Sequence, residues 1–424
     1  MPQQSGLTSS ETRSPAVRVH ILGAGPVGLL LTALLQPNER FAVHLYEKRR
    51  DYTRSRMVQL APYLVADSVA DYSTDYIDQE SVFAIFDPRE LDEGLAFRQS
   101  IPSDLMTLLR GWTQGFCPLN EIERSLSDLI DGRQSQPVQR IEASINTLEA
   151  MAMLEPGDML IDCSGNRSVL RDQLATGAGA VDDPSSLALL SADSPNTLQI
   201  RLEYALVITF LYGQAYDCNE YCKYQKNIDN PQYKFIPAVN RTYYDGSISH
   251  VTGIITISAE DYERMPSRFD GHWLRSNFPR VAESMDRFIG KVKEETNGEI
   301  VGDLEIIRIP LDLYRARNVT SREWLKAPAG NHPFSRSPVF LAGDSAMGSP
   351  YFQSISLGFE CAMFLAGLHA QRDLSLTEML DRYEQFIYKQ WLRVYMRSKM
   401  IKHNKDLLEC VGDTYALLDK LHIY

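Results

Sequence analysis

The sequence predicts an α/β fold in which a parallel, ligand-binding sheet is interleaved with an antiparallel sheet and followed by a C-terminal helical region. Three observations predict it. A glycine-rich turn joins an alternating strand pattern to a leucine-rich helix within residues 16–36, strand patterns are frequent within residues 196–315, and helical spacing dominates from about Gly358 onwards. We expect four parts, which are a disordered leader at 1–15, a ligand-binding domain at 16–175 and 311–370, a β-sheet domain at 176–310, and C-terminal helices at 371–424.

The composition limits the classes of protein to consider. The chain has 424 residues, of which 44% are hydrophobic, and this is enough for a large core. Its formal net charge of −12 argues against nucleic acid or an anionic membrane as the main partner. The polar leader lacks the apolar core of a signal peptide, and no apolar run approaches the roughly 20 residues of a membrane span.

Cysteine usage predicts a cytoplasmic protein without a metal site. The chain has six cysteines and no secretion signal, so we expect a reducing compartment. Cys218 and Cys222 form a C-x3-C pair, but a zinc site needs about four ligands. Of the histidines downstream, only His250 and His272 lie even loosely near this pair. We therefore interpret both cysteines as ordinary thiols.

The first element of the ligand-binding domain is a strand, a tight turn and a helix. Apolar residues alternate over 17–21, and the turn then reads Gly23-x-Gly25-x-x-Gly28. This is the dinucleotide fingerprint in the context that it requires. We expect Gly23 to make the turn, Gly25 to let the backbone approach a pyrophosphate, and Gly28 to let the helix pack on the strand. The helix N-terminus would present N–H groups to the phosphates.

The second element is a strand over 41–47 that ends on Glu47, where a carboxylate can accept hydrogen bonds from ribose hydroxyls. A basic segment follows the strand, and its basic residues are Lys48, Arg49, Arg50, Arg54 and Arg56. The same pattern serves NAD or FAD, so these residues alone leave the dinucleotide open.

Three later features add ligand-facing positions. A helical pattern over 119–130 carries Arg124, which is either a surface charge or a phosphate ligand. A strand runs into the turn Cys163-Ser164-Gly165, and another apolar run, 339–342, ends at Gly343-Asp344. Strand ends from several parts of one sheet can converge along a long ligand, and we expect the late turn to serve that purpose.

In this order, the motifs resemble the single-component FAD-dependent monooxygenases, which are the aromatic-hydroxylase-like flavoproteins. The segment "GAGPVGLLLTALL…YEKRRDYTRSRMVQLAPYL" is also similar to the flavin domain of the MICAL-type monooxygenases. The resemblance covers both ends of the chain and the middle up to about Arg171. It implies an FAD-binding, Rossmann-like domain, with residues 176–310 forming a β-sheet substrate domain above the flavin.

The resemblance also implies residue roles. Gly23, Gly25 and Gly28 would hold the FAD pyrophosphate. Glu47 would bind the adenosine ribose, Arg124 the phosphates, and Asp344 the ribityl chain or the pyrophosphate region. The remaining cofactor contacts that we expect are Lys48, Arg56, Gly343 and Gly358.

Two departures from the family pattern bear on the chemistry. Ser164 stands where the family has an aspartate in a turn that is linked to nicotinamide handling, so the choice of NADH or NADPH stays open. After Asp344 the loop reads "SAMGSPYFQSISLG", in which Pro350 and Gly358 fit the family but a close glycine pair is missing. The catalytic residues are open because the flavin carries the chemistry, and the candidates are His250 and Phe352.

These features predict an FAD-dependent monooxygenase that hydroxylates or epoxidises a small, apolar or aromatic molecule of secondary metabolism, using NAD(P)H and O2. The alternative is a cyclase or isomerase that holds FAD on the same fold without redox chemistry. Flavin halogenation is disfavoured because halogenases of this superfamily carry a Trp-x-Trp pair that this chain lacks. A MICAL-like enzyme acting on protein methionines would carry partner-binding domains. The oligomeric state stays open.

Overall fold

The structure is a computed structural model, and its elements are numbered here in chain order. It describes residues 16–54, 57–58, 60–68, 88–115, 117–134, 136–175, 196–213, 235–243, 248–296, 298–326, 332–349, 354–396 and 398. The strands are β1 Val17–Leu22, β2 Phe41–Glu47, β3 Met57–Val58, β4 Cys117–Pro118, β5 Gln139–Glu142, β6 Met159–Asp162, β7 Thr197–Tyr212, β8 Phe235–Tyr243, β9 Ile248–Ile257, β10 Arg268–Asp270, β11 Ile300–Ala316, β12 Val339–Leu341 and β13 Met347–Gly348. The helices are α1 Pro26–Leu35, α2 Pro88–Ser100, α3 Ser103–Thr113, α4 Leu119–Gly132, α5 Thr147–Ala152, α6 Ala259–Arg264, α7 Gly271–Asn277, α8 Pro279–Thr296, α9 Arg322–Lys326, α10 Ser354–Ala370, and α11 over residues 376–396.

A parallel sheet forms the centre of the larger part of the molecule. Its strand order is β12-β6-β1-β2-β5, and every pair is parallel. Helix α1 connects β1 to β2 and packs against α4 and α10. Val19 and Ile21 on one face of β1, and His20 and Leu22 on the other, are all buried, as expected for a strand covered on both faces. The carboxyl ends of β1, β2, β6 and β12 therefore meet at one edge of the sheet.

The second sheet is antiparallel, with the order β10-β11-β7-β9-β8. Strand β13, which follows the turn after β12, pairs with β11 and so joins this sheet to the edge of the first. Helices α7 and α8 cover the sheet with a core of its own, in which Ile208 and Ile306 face Met285 and Phe288. The two sheets thus have separate cores but meet beside the turn that contains Asp344.

The predicted α/β class is confirmed, with a parallel sheet, an antiparallel sheet and helices. Two helices lie between β10 and β11, because α7 ends before Phe278 and Pro279 begins α8. Strand β11 continues to Ala316, across the expected division at 310 and 311, so the domain boundaries stay a prediction. The leader, Cys218, Cys222 and residues 401–424 lie outside the described residues. Among the helices that the structure describes, none is both long and apolar enough to cross a membrane.

Helix α11 is fixed on α10 and on the parallel sheet by buried polar contacts. Arg393 forms an ion pair with Glu360 at 2.6 Å, and both side chains are only 4% exposed. The Gln390 amide nitrogen also donates to Glu360, at 3.0 Å. The Tyr383 hydroxyl donates to the carbonyl oxygen of Leu341, at 2.7 Å, directly at the end of β12. Helix α11 is therefore an integral part of the unit that is built on the parallel sheet.

His369 is a buried histidine near the end of α10. Its ring lies edge-on to Phe41 and Phe340, with centroid distances of 5.7 Å to each. Its Nε2 has no hydrogen-bond partner among the described residues. Burial disfavours the charged ring and, with a smaller effect of Arg40, lowers the pKa of His369 to about 4.

We expect His369 to make stability depend on pH. The unfolded chain binds a proton below about pH 6.5, whereas folded His369 stays neutral down to about pH 4, so stability falls as the pH drops through this window. The loss between about pH 7 and about pH 5 should be about 2 kcal/mol. His369→Phe should remove that part of the loss, as measured by urea unfolding at both pH values. An identical pH dependence in the variant would contradict this assignment.

Candidate cofactor-binding site

The carboxyl ends of the parallel strands open onto a cavity of about 480 Å³. The segments that follow the parallel strands line it, which are the glycine-rich turn after β1, the end of β2 with the residues that follow, and the turns after β5, β6 and β12. Val58, Leu119 and the start of α10 complete the wall. The cavity therefore occupies the edge of an open α/β sheet where ligands bind in such folds.

Two of the three fingerprint glycines are required by the fold itself. Gly23 has a φ of +96°, and a Cβ there would lie 2.8 Å from the carbonyl oxygen of Cys163. Its N–H donates to the Tyr46 carbonyl oxygen at 2.8 Å, which ties the turn to β2. A Cβ at Gly28 would lie 2.0 Å from the carbonyl oxygen of Gly23, so this glycine lets α1 pack against the turn.

Gly25 has no such structural requirement. Its φ of −75° suits any residue, and within the described part of the chain a Cβ there would meet only the Nη2 atom of Arg54, at 3.6 Å. Gly25 is the N-cap of α1, Pro26 follows as the first helical residue, and the first turn has no acidic side chain. The open space beside Gly25 thus lies at the positive end of a helix dipole, where an anion is favoured.

The carboxylate of Glu47 is held against the glycine-rich turn. Its Oε2 accepts the N–H of Ala24 at 3.0 Å, and its Oε1 accepts the N–H and Nε–H of Arg49 at 3.0 and 3.1 Å. Burial acts to raise the pKa of Glu47, but the hydrogen bonds from Arg49 and Ala24 outweigh it and leave the pKa below its usual value. Lys48 also lines the cavity. The ribose-binding role of Glu47 stays a prediction.

The arginine beside the glycine-rich turn is Arg54. Arg54 lines the cavity and pairs with Glu123, whose side chain is fully buried on α4. Burial raises the pKa of the Glu123 carboxyl, and the Arg54 guanidinium acts against that rise. Arg124 does not line the cavity; its Nη2 donates to the carbonyl oxygen of Tyr52 at 3.1 Å. Arg56 lies outside the described residues.

The register of α4 explains the position of these side chains. The buried positions of the helix share one face at helical spacing, and they are Leu119, Ile122, Glu123, Leu126 and Ile130. Glu123 therefore faces the interior, whereas the adjacent Arg124 is exposed. A prediction that places every charged residue on the solvent-exposed face of the helix misses Glu123. Its position among the apolar residues at helical spacing nevertheless indicates that it is buried.

Asp162, the last residue of β6, joins the turns on two sides of the cavity. Its Oδ1 accepts from Ser164 N–H at 2.8 Å and from the hydroxyls of Ser164 and Ser345, at 2.5 and 3.2 Å. Its Oδ2 accepts from the Ser168 hydroxyl at 2.6 Å and from Leu170 N–H at 3.2 Å. The sequence prediction did not include Asp162, because most of its partners belong to turns whose folding a pattern does not reveal.

The turn after β12 presents Asp344 to the cavity. Gly343 has a φ of +61°, and a Cβ there would lie 3.0 Å from a methyl carbon of Val27 on α1. The carbonyl oxygen of Asp344 accepts from Arg171 Nη2 at 2.7 Å and from the Tyr314 hydroxyl at 2.8 Å. These contacts fix the backbone of Asp344, so the turn is braced independently of any ligand.

The remaining predicted positions have different outcomes. A Cβ at Gly358 would lie 2.6 Å from Val27, so this glycine lets α10 approach α1 and does not line the cavity. His250 lies in β9, where its Cα is opposite those of Leu211 and Arg241, but its side chain is outside the described part of the chain. Phe352 lies outside the described residues altogether. Their roles in catalysis stay predictions.

Comparisons with known proteins match the chain only at the level of architecture. No protein-family model and no curated protein sequence matches it. One solved structure that matches is the Diels-Alderase PyrE3 of pyrroindomycin biosynthesis, with 13% identity, a TM-score of 0.48, and coverage of 94% of this chain and 77% of that chain. A second is the flavin-dependent halogenase CmlS, with 11% identity, a TM-score of 0.47, and coverage of 91% of this chain and 64% of that chain. A third is the tetrameric form of 2-methyl-3-hydroxypyridine-5-carboxylic acid oxygenase, with 14% identity, a TM-score of 0.46, and coverage of 93% of both chains. Similarity at this level assigns no activity.

Replacing Asp344 by alanine tests the late turn. Removal of a carboxylate that faces the cavity should weaken FAD binding by roughly 1–3 kcal/mol, which is about a tenfold to hundredfold loss of affinity. Asp344→Asn, which retains one acceptor oxygen, should lose less. Fluorescence titration of each variant with FAD gives the affinities. If Asp344→Ala binds FAD as tightly as the wild-type protein, this carboxylate has no part in cofactor binding.

Proposed function

We propose that the chain is an FAD-dependent monooxygenase of a small apolar or aromatic molecule, with NAD(P)H as reductant and O2 as co-substrate. The observation that carries the proposal is the open space at Gly25, at the start of α1 and inside a cavity bordered by the ends of the parallel strands. A glycine that the backbone does not need is explained by a ligand that approaches the main chain there.

The residues around the cavity fit a flavin dinucleotide. The N–H groups at the start of α1 and the guanidinium of Arg54 would hold the pyrophosphate beside Gly25. Glu47 would accept hydrogen bonds from the adenosine ribose, for which Arg49 would have to share its carboxylate. Asp344 would lie toward the ribityl chain. Contributions from residues 23, 47 and 344 suit a long ligand better than a single nucleotide.

The protein would act on the cofactor by placement. FAD, when bound, supplies the redox and oxygen-transfer chemistry. Asp162 holds the turns after β6 and β12 together, and Arg171 and Tyr314 brace the backbone of Asp344. These contacts would keep the flavin end of the site in one geometry beside the antiparallel sheet. The sheet would in turn exclude water from the reacting atoms, a condition that favours oxygen transfer over loss of reducing power.

Anaerobic mixing with NADPH, and separately with NADH, tests the proposal. Protein loaded with FAD should lose the flavin absorbance with one of the two nucleotides, and readmitted O2 should restore it. Flavin that stays bound but oxidised with both nucleotides would contradict the monooxygenase. That result would favour the cyclase or isomerase, and the sequence feature that supports this alternative is the altered loop after Pro350.

A further inference from the structure

Glu123 is an unusual residue in the wall behind the cavity. Its carboxylate is fully buried on α4, among the apolar side chains of Leu119, Ile122 and Leu126. Oε1 pairs with Arg54, whereas Oε2 has no hydrogen-bond partner among the described residues. A buried carboxylate with an unsatisfied oxygen costs stability, so its presence here calls for a function beyond packing.

Arg54 is attached to α4 by both its backbone and its side chain. The carbonyl oxygen of Arg54 accepts the N–H of Asn120 at 2.9 Å, near the start of the helix. Its guanidinium pairs with Glu123 one turn later. The residue lies in a segment without regular secondary structure, so these two contacts define where the guanidinium lies.

The guanidinium is held at the point where the glycine-rich turn is open. The Nη2 atom that pairs with Glu123 also lies 3.6 Å from the position of a Cβ on Gly25. Arg49 Nη2 lies 3.9 Å from the same Glu123 oxygen while its Nε binds Glu47. Both arginines line the cavity, and both lie within 4 Å of the same buried carboxylate oxygen, but only Arg54 lies beside Gly25.

We propose that Glu123 is a positioning residue that holds Arg54 over Gly25 for the pyrophosphate of a dinucleotide; this rests on the proposed function. The charge of Glu123 and its positioning role have opposite effects on anion binding. Removing a carboxylate near an anion site strengthens anion binding if only its charge matters. Removing Glu123 weakens anion binding if its positioning role matters, because the ligand must then order the flexible Arg54 guanidinium.

Glu123→Leu and Glu123→Gln separate these effects. Leucine suits the apolar surroundings, and replacing a buried charge by a packed apolar residue is often neutral or stabilising. We expect Glu123→Leu to keep the apo melting temperature but to bind FAD about tenfold more weakly. Glu123→Gln keeps an acceptor for Arg54 and should stay near wild-type affinity. Asp128→Ala removes a carboxylate from the exposed face of the same helix and serves as the matched control.

A double variant tests whether Glu123 acts through Arg54. Arg54→Ala should weaken FAD binding, and adding Glu123→Leu should weaken it no further, because the two residues form one unit. Fluorescence titrations with FAD and with ADP, which shares the pyrophosphate, give the affinities. A Glu123→Leu variant that binds FAD as tightly as wild type, or more tightly, would overturn the inference, and so would additive losses in the double variant.

The ADP titration separates failure of this inference from failure of the proposed function. If the wild-type protein binds ADP with the expected dependence on Glu123 but does not bind FAD, the positioning role stands and the flavin function fails. If it binds FAD with no dependence on Glu123, only the positioning role fails. If it binds neither ligand, both proposals are wrong.

Discussion

Gly25→Val is expected to abolish FAD retention while the protein stays folded. The φ of −75° at this position is open to valine, and among the described residues an added Cβ has only the Nη2 of Arg54 within 4 Å, at an ordinary contact distance. The side chain would instead fill the space that a pyrophosphate needs at the start of α1. We expect a loss of affinity on the order of a hundredfold or more, which is about 2.7 kcal/mol.

Flavin absorbance of the purified variant and a titration with added FAD measure this effect, and far-UV circular dichroism checks the fold. Gly115→Val is a suitable control, because a Cβ there meets no atom of the described residues within 4 Å and the residue does not line the cavity. Normal flavin content in Gly25→Val would place the ligand elsewhere in the molecule.

Asp162→Ala is expected to produce the largest loss of stability. The substitution removes the acceptor of the Ser164 and Leu170 N–H groups and of the Ser168 hydroxyl, and each buried donor left unsatisfied costs about 1–3 kcal/mol. Relaxation and entering water will recover part of this, so we expect a total of about 3–5 kcal/mol. Because Asp162 also connects the turns after β6 and β12, we expect Asp162→Ala to lower the affinity for FAD as well as the stability.

Urea unfolding of the apo proteins measures this loss. Ser164→Ala is the matched comparison, since it removes one hydroxyl donor to Asp162 and leaves the backbone N–H bond in place. Its cost should be about 1 kcal/mol or less. If Asp162→Ala unfolds at the same urea concentration as Ser164→Ala, Asp162 is not the residue that organises these turns.

The local parts of the site could be predicted from the sequence because they are continuous in the chain. The strand, the glycine-rich turn and α1 are specified within twenty residues, and Gly23 and Gly28 have the structural roles that the fingerprint implies. Glu47 follows from the end of the next strand. In each of these cases a steric or hydrogen-bonding requirement acts between near neighbours in sequence.

The parts that were not predicted depend on distant residues or on the rotation of a helix. Ser345 and Asp162 meet although they are 183 positions apart. Arg54 was one of five basic residues after Glu47, and only the buried Glu123, 69 positions later, distinguishes it. The family resemblance assigned Arg124 to the phosphates, but Arg124 occupies an exposed position of α4, where its side chain donates to the carbonyl oxygen of Tyr52 and does not line the cavity.

The most direct test of the proposed FAD site is an FAD titration of the purified wild-type protein, monitored by flavin fluorescence and visible absorbance. We expect saturable binding of one FAD per chain, with a changed flavin spectrum. Competition by ADP is expected, because ADP shares the adenosine and pyrophosphate groups that the Gly25 and Glu47 end of the cavity would hold. A protein that leaves the fluorescence and absorbance of added FAD unchanged at every concentration would contradict the account.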